Sequence, residues 1–259
     1  MLYNSEKLFK KAAVILSAAL LLQLGLLIYG GYRRVVATQA SSKPLPIYSV
    51  ETDQKAVALG INCAWDNADI PQLIDILEKA KVKATFFVAG TWCDDYPESV
   101  KALAQAGHEI GSHSDNHKDM AKMTPEEILN QIHRSEEKIT ALTGERPTLF
   151  RTPSGSYSDE VITLLVQEGY YPIQWDCDSV DWKNPSPEEM VTKIMDKAGN
   201  GSIMLFHSGA KNTPEALPQV IAALQKKGLK VVPVSQLIHK GPYVVDYTGR
   251  QSPLVSKSK

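Results

Sequence analysis

Five short clusters in this 259-residue chain carry the residue types that do chemistry. In G-S-H-S-D-N-H, His113 and His117 lie four apart and face the same way in a tight turn or a first helical turn. Two imidazoles at that spacing suit one Zn²⁺-like ion, or else two polar loop residues that cap a helix. F-R-T-P-S-G-S-Y (150–157) offers Arg151 to hold a carboxylate or carbonyl, with Pro153 and Gly155 shaping the loop. A surface turn with a salt-bridged arginine would read the same. W-D-C-D-S-V-D-W (175–182) offers Asp178 and Asp181 to orient a histidine or bind a ligand, and Trp182 to wall an apolar pocket. Turn-capping carboxylates and a core tryptophan are the plainer alternative. I-M-L-F-H-S-G places His207 at the end of an apolar run, a position for a general acid or base or for a satisfied core histidine. The fifth cluster, L-G-I-N-C-A-W-D (59–66), ends a strand in Asn62 and Cys63, an amide and a thiol where α/β enzymes keep catalytic groups.

These clusters need strands to end them on one face. Apolar runs predict strands over 55–62, 83–90, 108–114, 147–153, 170–177, 202–207 and 230–234. Helical periodicity fills the gaps. Leu73, Ile74, Leu77 and Ala80 share one face of 71–81. T-P-E-E opens a helix over 124–142, with Thr124 and Glu127 as its capping box. Further helices are expected over 158–168, 187–197 and 214–227, several with proline in the first turn. Strands alternating with helices imply parallel βαβ units. About seven of them suggest an irregular (β/α) barrel, with an open doubly wound sheet as the rival. In a parallel barrel the clusters share the carboxyl-terminal face. No G-x-G-x-x-G or P-loop spacing appears, which weighs against nucleotide-binding versions.

Net charge is −1 at 43 % hydrophobic and 22 % charged residues, which gives no global attraction to nucleic acid. Residues 12–32 carry no charge, and about 20 apolar residues are what a bilayer core needs. The expected organisation is a cytoplasmic 1–11, a transmembrane anchor at 12–32, a linker at 33–52, a catalytic domain at 53–240 and a flexible tail at 241–259. Lys7, Lys10 and Lys11 bias the amino terminus toward the cytoplasm, which makes a single-pass cell-membrane protein with its domain outside. Three cysteines are too few for a disulfide scaffold and allow one pair or none.

In order, K-A-T-F-F-V-A-G (83–90), A-G-H-E-I-G-S-H-S-D-N-H (106–117), R-T-P-S-G (151–155), D-S-V-D-W (178–182) and L-F-H-S-G (205–209) resemble the polysaccharide deacetylases. These are the NodB-like domains of carbohydrate esterase family 4. The likeness covers about residues 55–237, and flanking stretches resemble the membrane-anchored subgroup of spore-forming bacteria, hence an expectation of sporulation. The resemblance implies a distorted (β/α) barrel and removal of N-acetyl groups from peptidoglycan or a chitin-like cell-wall glycan. It implies a divalent metal, zinc with cobalt or manganese as alternatives, on His113 and His117. It implies Arg151 as the residue orienting the base, Asp181 as partner of the acid and His207 as the general acid. Trp182 and Leu205 would form the acetyl pocket, with Pro153 and Tyr157 completing the substrate-binding set.

The fifth cluster departs from that pattern. The family's first strand ends in T-F-D-D, base then third metal ligand; here the matching residues are Gly60, Ile61, Asn62 and Cys63. A carboxamide holds a water but does not take its proton, and losing the base costs about 10²–10⁴ in rate. Cys63, Asp66 or Asp69 are the candidates for the missing ligand, although Asp69 reads most simply as a helix N-cap. Two functions follow: a metal-dependent deacetylase, slow for want of its base, or an inactive glycan- or partner-binding pseudoenzyme on the same fold.

Overall fold

The computed structural model describes residues 43–254. The expected anchor at 12–32, the leader before it and the first part of the linker lie outside the described residues. Among the described residues, no helix is long and apolar enough to cross a membrane.

The centre of the fold is β2 (Ala56–Cys63), an apolar run buried at all eight positions, as a strand covered on both faces must be. Around it stand β3 (Thr85–Val88), β4 (Glu109–Ser112), β5 (Leu149–Phe150), β6 (Tyr171–Pro172), β7 (Cys177–Asp178), β8 (Ile203–His207) and β9 (Lys230–Val232). The sheet order is β6-β5-β4-β3-β2-β8-β7, and every pairing is parallel. β9 pairs Ala56–Ala58 at the start of β2. Helices alternate with the strands: α1 (Ile70–Lys79), α2 (Gly90–Asp95), α3 (Pro97–Gln105), α4 (Pro125–Thr143), α5 (Asp159–Gln167), α6 (Pro187–Lys197), α7 (Thr213–Lys226) and the single turn α8 (Val234–Leu237). This is the expected distorted (β/α) barrel, curled but open between β6 and β7.

The open seam corrects one expected element. Residues 170–177 do not form one strand; they cross from one edge of the sheet to the other as β6 and β7. Pro172 has no N–H for a ladder, and the Asp176 carboxylate takes the Ile203 N–H at 2.8 Å in place of a backbone partner. The end of the expected linker fills the seam. Ile47 N–H donates to Pro172 O, Gln174 N–H to Ile47 O, and Val50 N–H to Gly201 O, at 2.7–2.8 Å.

The described part of the tail forms strands. β1 (Ser49–Val50) pairs β11 (Arg250–Pro253), which pairs β10 (Tyr243–Val245). Asp246 Oδ1 closes the hairpin by accepting from the N–H groups of Thr248 and Arg250. The fully buried Gln251 amide clasps His239 through its N–H and its C=O.

Alternation along β2 divides the core. Val57, Leu59, Ile61 and Cys63 face the helices with Leu73, Phe86, Trp92, Phe206 and Val220. Ala56 and Ala58 face inward with Phe87, Leu149, Ile173 and Ile203. Each large side chain so buried contributes about 1.5–3 kcal/mol. All three cysteines are buried free thiols. The capping box of α4 forms as expected, with Thr124 and Glu127 exchanging bonds. Asp69 sits at the N-cap of α1 but makes no cap bond; its Oδ2 instead accepts the Gly209 N–H at 2.9 Å.

Candidate active site

β8 delivers His207 to the carboxyl-terminal face, and the turn after β7 delivers Asp181. That turn holds Val180 at φ 57°, a strained conformation for a β-branched residue that costs about 1–3 kcal/mol. Asp178 Oδ1 fixes it by accepting the Val180 N–H at 2.8 Å. Asp181, fully buried, accepts from His207 Nδ1, from the His207 backbone N–H and from Thr213 Oγ1, all at 2.7 Å. With Nδ1–H donated to the carboxylate, Nε2 is the nitrogen left for the pocket. The Trp65 indole stacks on the His207 ring, centroids 5.0 Å apart and planes 18° from parallel.

Across the pocket Arg151 rises from the end of β5. Its guanidinium is wholly buried, 4.1 Å above the Phe87 ring. A Cβ on residue 60 would lie 2.6 Å from Nη2, so glycine there makes its room. Nη1 donates to Asn62 Oδ1 at 3.1 Å and Nη2 to Gln174 O at 3.2 Å, while Nε has no partner. Among the described residues no carboxylate touches it. Burial lowers its pKa to about 9, with Asp178 opposing from a distance.

The Arg151 carbonyl orients His113, whose Nδ1–H donates to it at 2.6 Å, leaving a buried Nε2 without a partner. His117, on a left-handed turn at φ 56°, meets His113 edge-on with centroids 4.9 Å apart. Burial holds both imidazoles below their ordinary pKa, His113 far below, so both are neutral donors. Their loop is clamped to α4. Asp115 pairs with Lys138 at 2.6 Å and Arg134 at 3.1 Å, and Gln131 accepts the N–H groups of Asp115 and Asn116.

Between the two sides lies a cavity of about 420 Å³, lined by Asn62, Ala64, Trp65, His117, Ser154, Trp175, Asp178, Trp182, Leu205 and His207. Of the expected substrate contacts, Trp182 and Leu205 are in it. Pro153 and Tyr157 are not among its lining residues; Ser154 stands there, and Tyr157 shares a 3.1 Å hydrogen bond with Tyr48. Trp65 and Trp175 are additions that the motifs do not single out. An aromatic two residues past the end of β2, and another in the same cluster as Asp181, are the signals that point to them.

The polysaccharide deacetylase family model matches residues 49–173. The uncharacterized protein YlxY of Bacillus subtilis is 36 % identical over 76 % of this chain and 62 % of its own length. The peptidoglycan-N-acetylmuramic acid deacetylase PdaC of the same organism is 33 % identical over 73 % of this chain, which spans only 40 % of PdaC. Among solved structures, wild-type BA3943, a CE4 family pseudoenzyme from Bacillus anthracis, superposes with a TM-score of 0.73 at 36 % identity, covering 76 % of this chain and 69 % of that one. This chain belongs to the polysaccharide deacetylase family. A BA3943 mutant with restored enzymatic activity superposes equally, at 36 % identity and a TM-score of 0.72, over 76 % of this chain and 72 % of that one.

Deacetylases of this family are generally metal-dependent. Here the donor set does not fit a three-ligand metal. The unpartnered Nε2 of His113 and the neutral His117 are suitable ligands, but among the described residues no third one joins them. Cys63 points into the helix-side core, and burial keeps its thiol protonated. Asp66 Oδ1 accepts the Ala68 N–H, and Asp69 accepts the Gly209 N–H through Oδ2 while its buried Oδ1 has no partner among the described residues. Among the described residues, no three His, Cys, Asp or Glu side chains converge.

Proposed function

We propose that this deacetylase-family domain binds N-acetylated cell-wall glycan without turning it over. One observation carries the reading: the amide oxygen at the base position is engaged by Arg151, so nothing there accepts a proton from water. The name of PdaC supports peptidoglycan as the glycan, and the description of BA3943 supports loss of activity on this fold. Half-exposed Trp65 and Trp182, with Trp175, supply flat apolar faces of the kind that pack on sugar rings. With 12–32 as anchor, the domain would meet glycan at the outer face of the membrane.

A second reading, slow metal-dependent N-deacetylation, draws on the Asp181–His207 pair, which a pure binder does not need. Co-sedimentation with insoluble N-acetylated peptidoglycan tests the first. The protein should pellet with the glycan, and Trp175→Ala and Trp65→Ala should release it by about tenfold each. A wild-type protein that stays in the supernatant would reject the proposal.

A further inference from the structure

Exchanging a carboxylate for an amide at the end of β2 reverses a hydrogen bond as well as removing a base. Arg151 only donates, so Asn62 must turn its oxygen toward the guanidinium, and does so at 3.1 Å. The Nδ2 group is then the end that remains. Asn62 is 5 % exposed and lines the cavity, and its one side-chain hydrogen bond among the described residues is the one its oxygen accepts. A nearly buried N–H₂ donor is therefore aimed at whatever occupies the pocket. Behind it lies a buried cation that no carboxylate contacts among the described residues. The pocket's own carboxylate, Asp178, is turned to its own loop, with Oδ1 accepting the Val180 N–H and Oδ2 accepting Trp175 Nε1 at 3.3 Å. Leu205 offers an apolar surface in the same cavity.

We infer that this site reads the acetylation state of an amino sugar: it holds the N-acetyl form and rejects the free amine, with Asn62 as the discriminating residue. This rests on the glycan-binding reading above. An acetamido carbonyl accepts from Nδ2, and its methyl meets Leu205. A protonated amine has only donors to offer, against an amide donor with a guanidinium behind it. One such mismatch in a desolvated site is worth about tenfold to a hundredfold in affinity. Asparagine in place of aspartate thus serves retention of the acetylated polymer, where a carboxylate would welcome the deacetylated one.

The test titrates the full chain with tetra-N-acetylchitotetraose and with fully deacetylated chitotetraose, following tryptophan fluorescence at a pH where the free amine is protonated. The acetylated tetramer should bind at least about tenfold tighter. Asn62→Asp should erase or reverse that preference. Asn62→Leu, similar in bulk but without a donor, should weaken the acetylated ligand by about tenfold, with an unchanged circular dichroism spectrum showing that the fold is intact. Equal binding of both tetramers by the wild type would overturn the inference and leave glycan binding standing. An unchanged preference in both variants would remove Asn62 from the role. Failure of both tetramers to bind would overturn the glycan-binding reading as well.

Discussion

On one side of the pocket, Asp181 collects three hydrogen bonds and holds His207 in a single tautomer. On the other, Arg151 crosses the barrel interior and meets an amide, and the imidazoles of His113 and His117 face each other without a third ligand among the described residues. Both sides are held by neighbouring elements: a carboxylate orients His207 and a backbone carbonyl orients His113. The departure from the family's pattern lies on the second side, at the last two positions of β2.

The largest expected effect breaks the base side itself. Arg151→Ala removes a wholly buried side chain packed on Phe87 and should cost about 3–5 kcal/mol in urea unfolding. The matching change on the acid side, His207→Ala, removes a partly exposed ring and should cost about half as much. Equal losses would mean that the two sides are not built as described.

The strand and loop that carry the base side's imidazoles also give it a pH dependence. His108, at the foot of β4, is 6 % exposed; burial, then Lys83, lowers its pKa from 6.5 to about 4. The folded pKa is the lower one, so the unfolded chain takes up the proton first as pH falls. Stability is full above pH 6.5, drains toward pH 4, and His108 alone accounts for about 3 kcal/mol of the loss. His113 and His117 shift in the same direction and add to it. Urea unfolding as a function of pH should show this slope, reduced by His108→Gln; an unchanged slope would contradict the neutral packing of His108.

Much of the barrel is legible in the amino-acid sequence. The apolar run of β2, the Thr124–Glu127 box and the ordered clusters announce the fold and converge on one face. The split of 170–177 is not legible there, because a run of apolar residues does not show which edge of a sheet it joins; Pro172 and Asp176 decide that. The placement of Cys63 is legible in principle. Strand side chains alternate, so an Asn62 facing the pocket sends its neighbour to the helix side. The tail is harder to read, because its polar composition hides a turn closed by Asp246 and a strand pair that depends on the distant Ser49–Val50.

Two smaller effects sharpen the comparison. Asn62→Asp gives Arg151 a carboxylate and should stabilise the fold by about 1–3 kcal/mol at neutral pH. Arg151 would depress the new carboxyl's pKa, so the gain exists above the unfolded carboxylate pKa and vanishes as pH falls through the folded one. A thermal shift in the opposite direction would show that the guanidinium is satisfied without an anion. Gly60→Ala should cost about 1–2 kcal/mol by crowding Nη2, and nothing further once Arg151→Ala is present. Simple additivity in that cycle would dissociate Gly60 from the guanidinium.

The most direct measurement is acetate released from N-acetylated peptidoglycan by the wild-type protein, with added Zn²⁺ or Co²⁺, beside His207→Ala. The glycan should be bound and the two proteins should release the same background of acetate. Acetate that requires both the metal and His207 would contradict the central claim and show that catalysis survives an amide and a thiol at the end of β2.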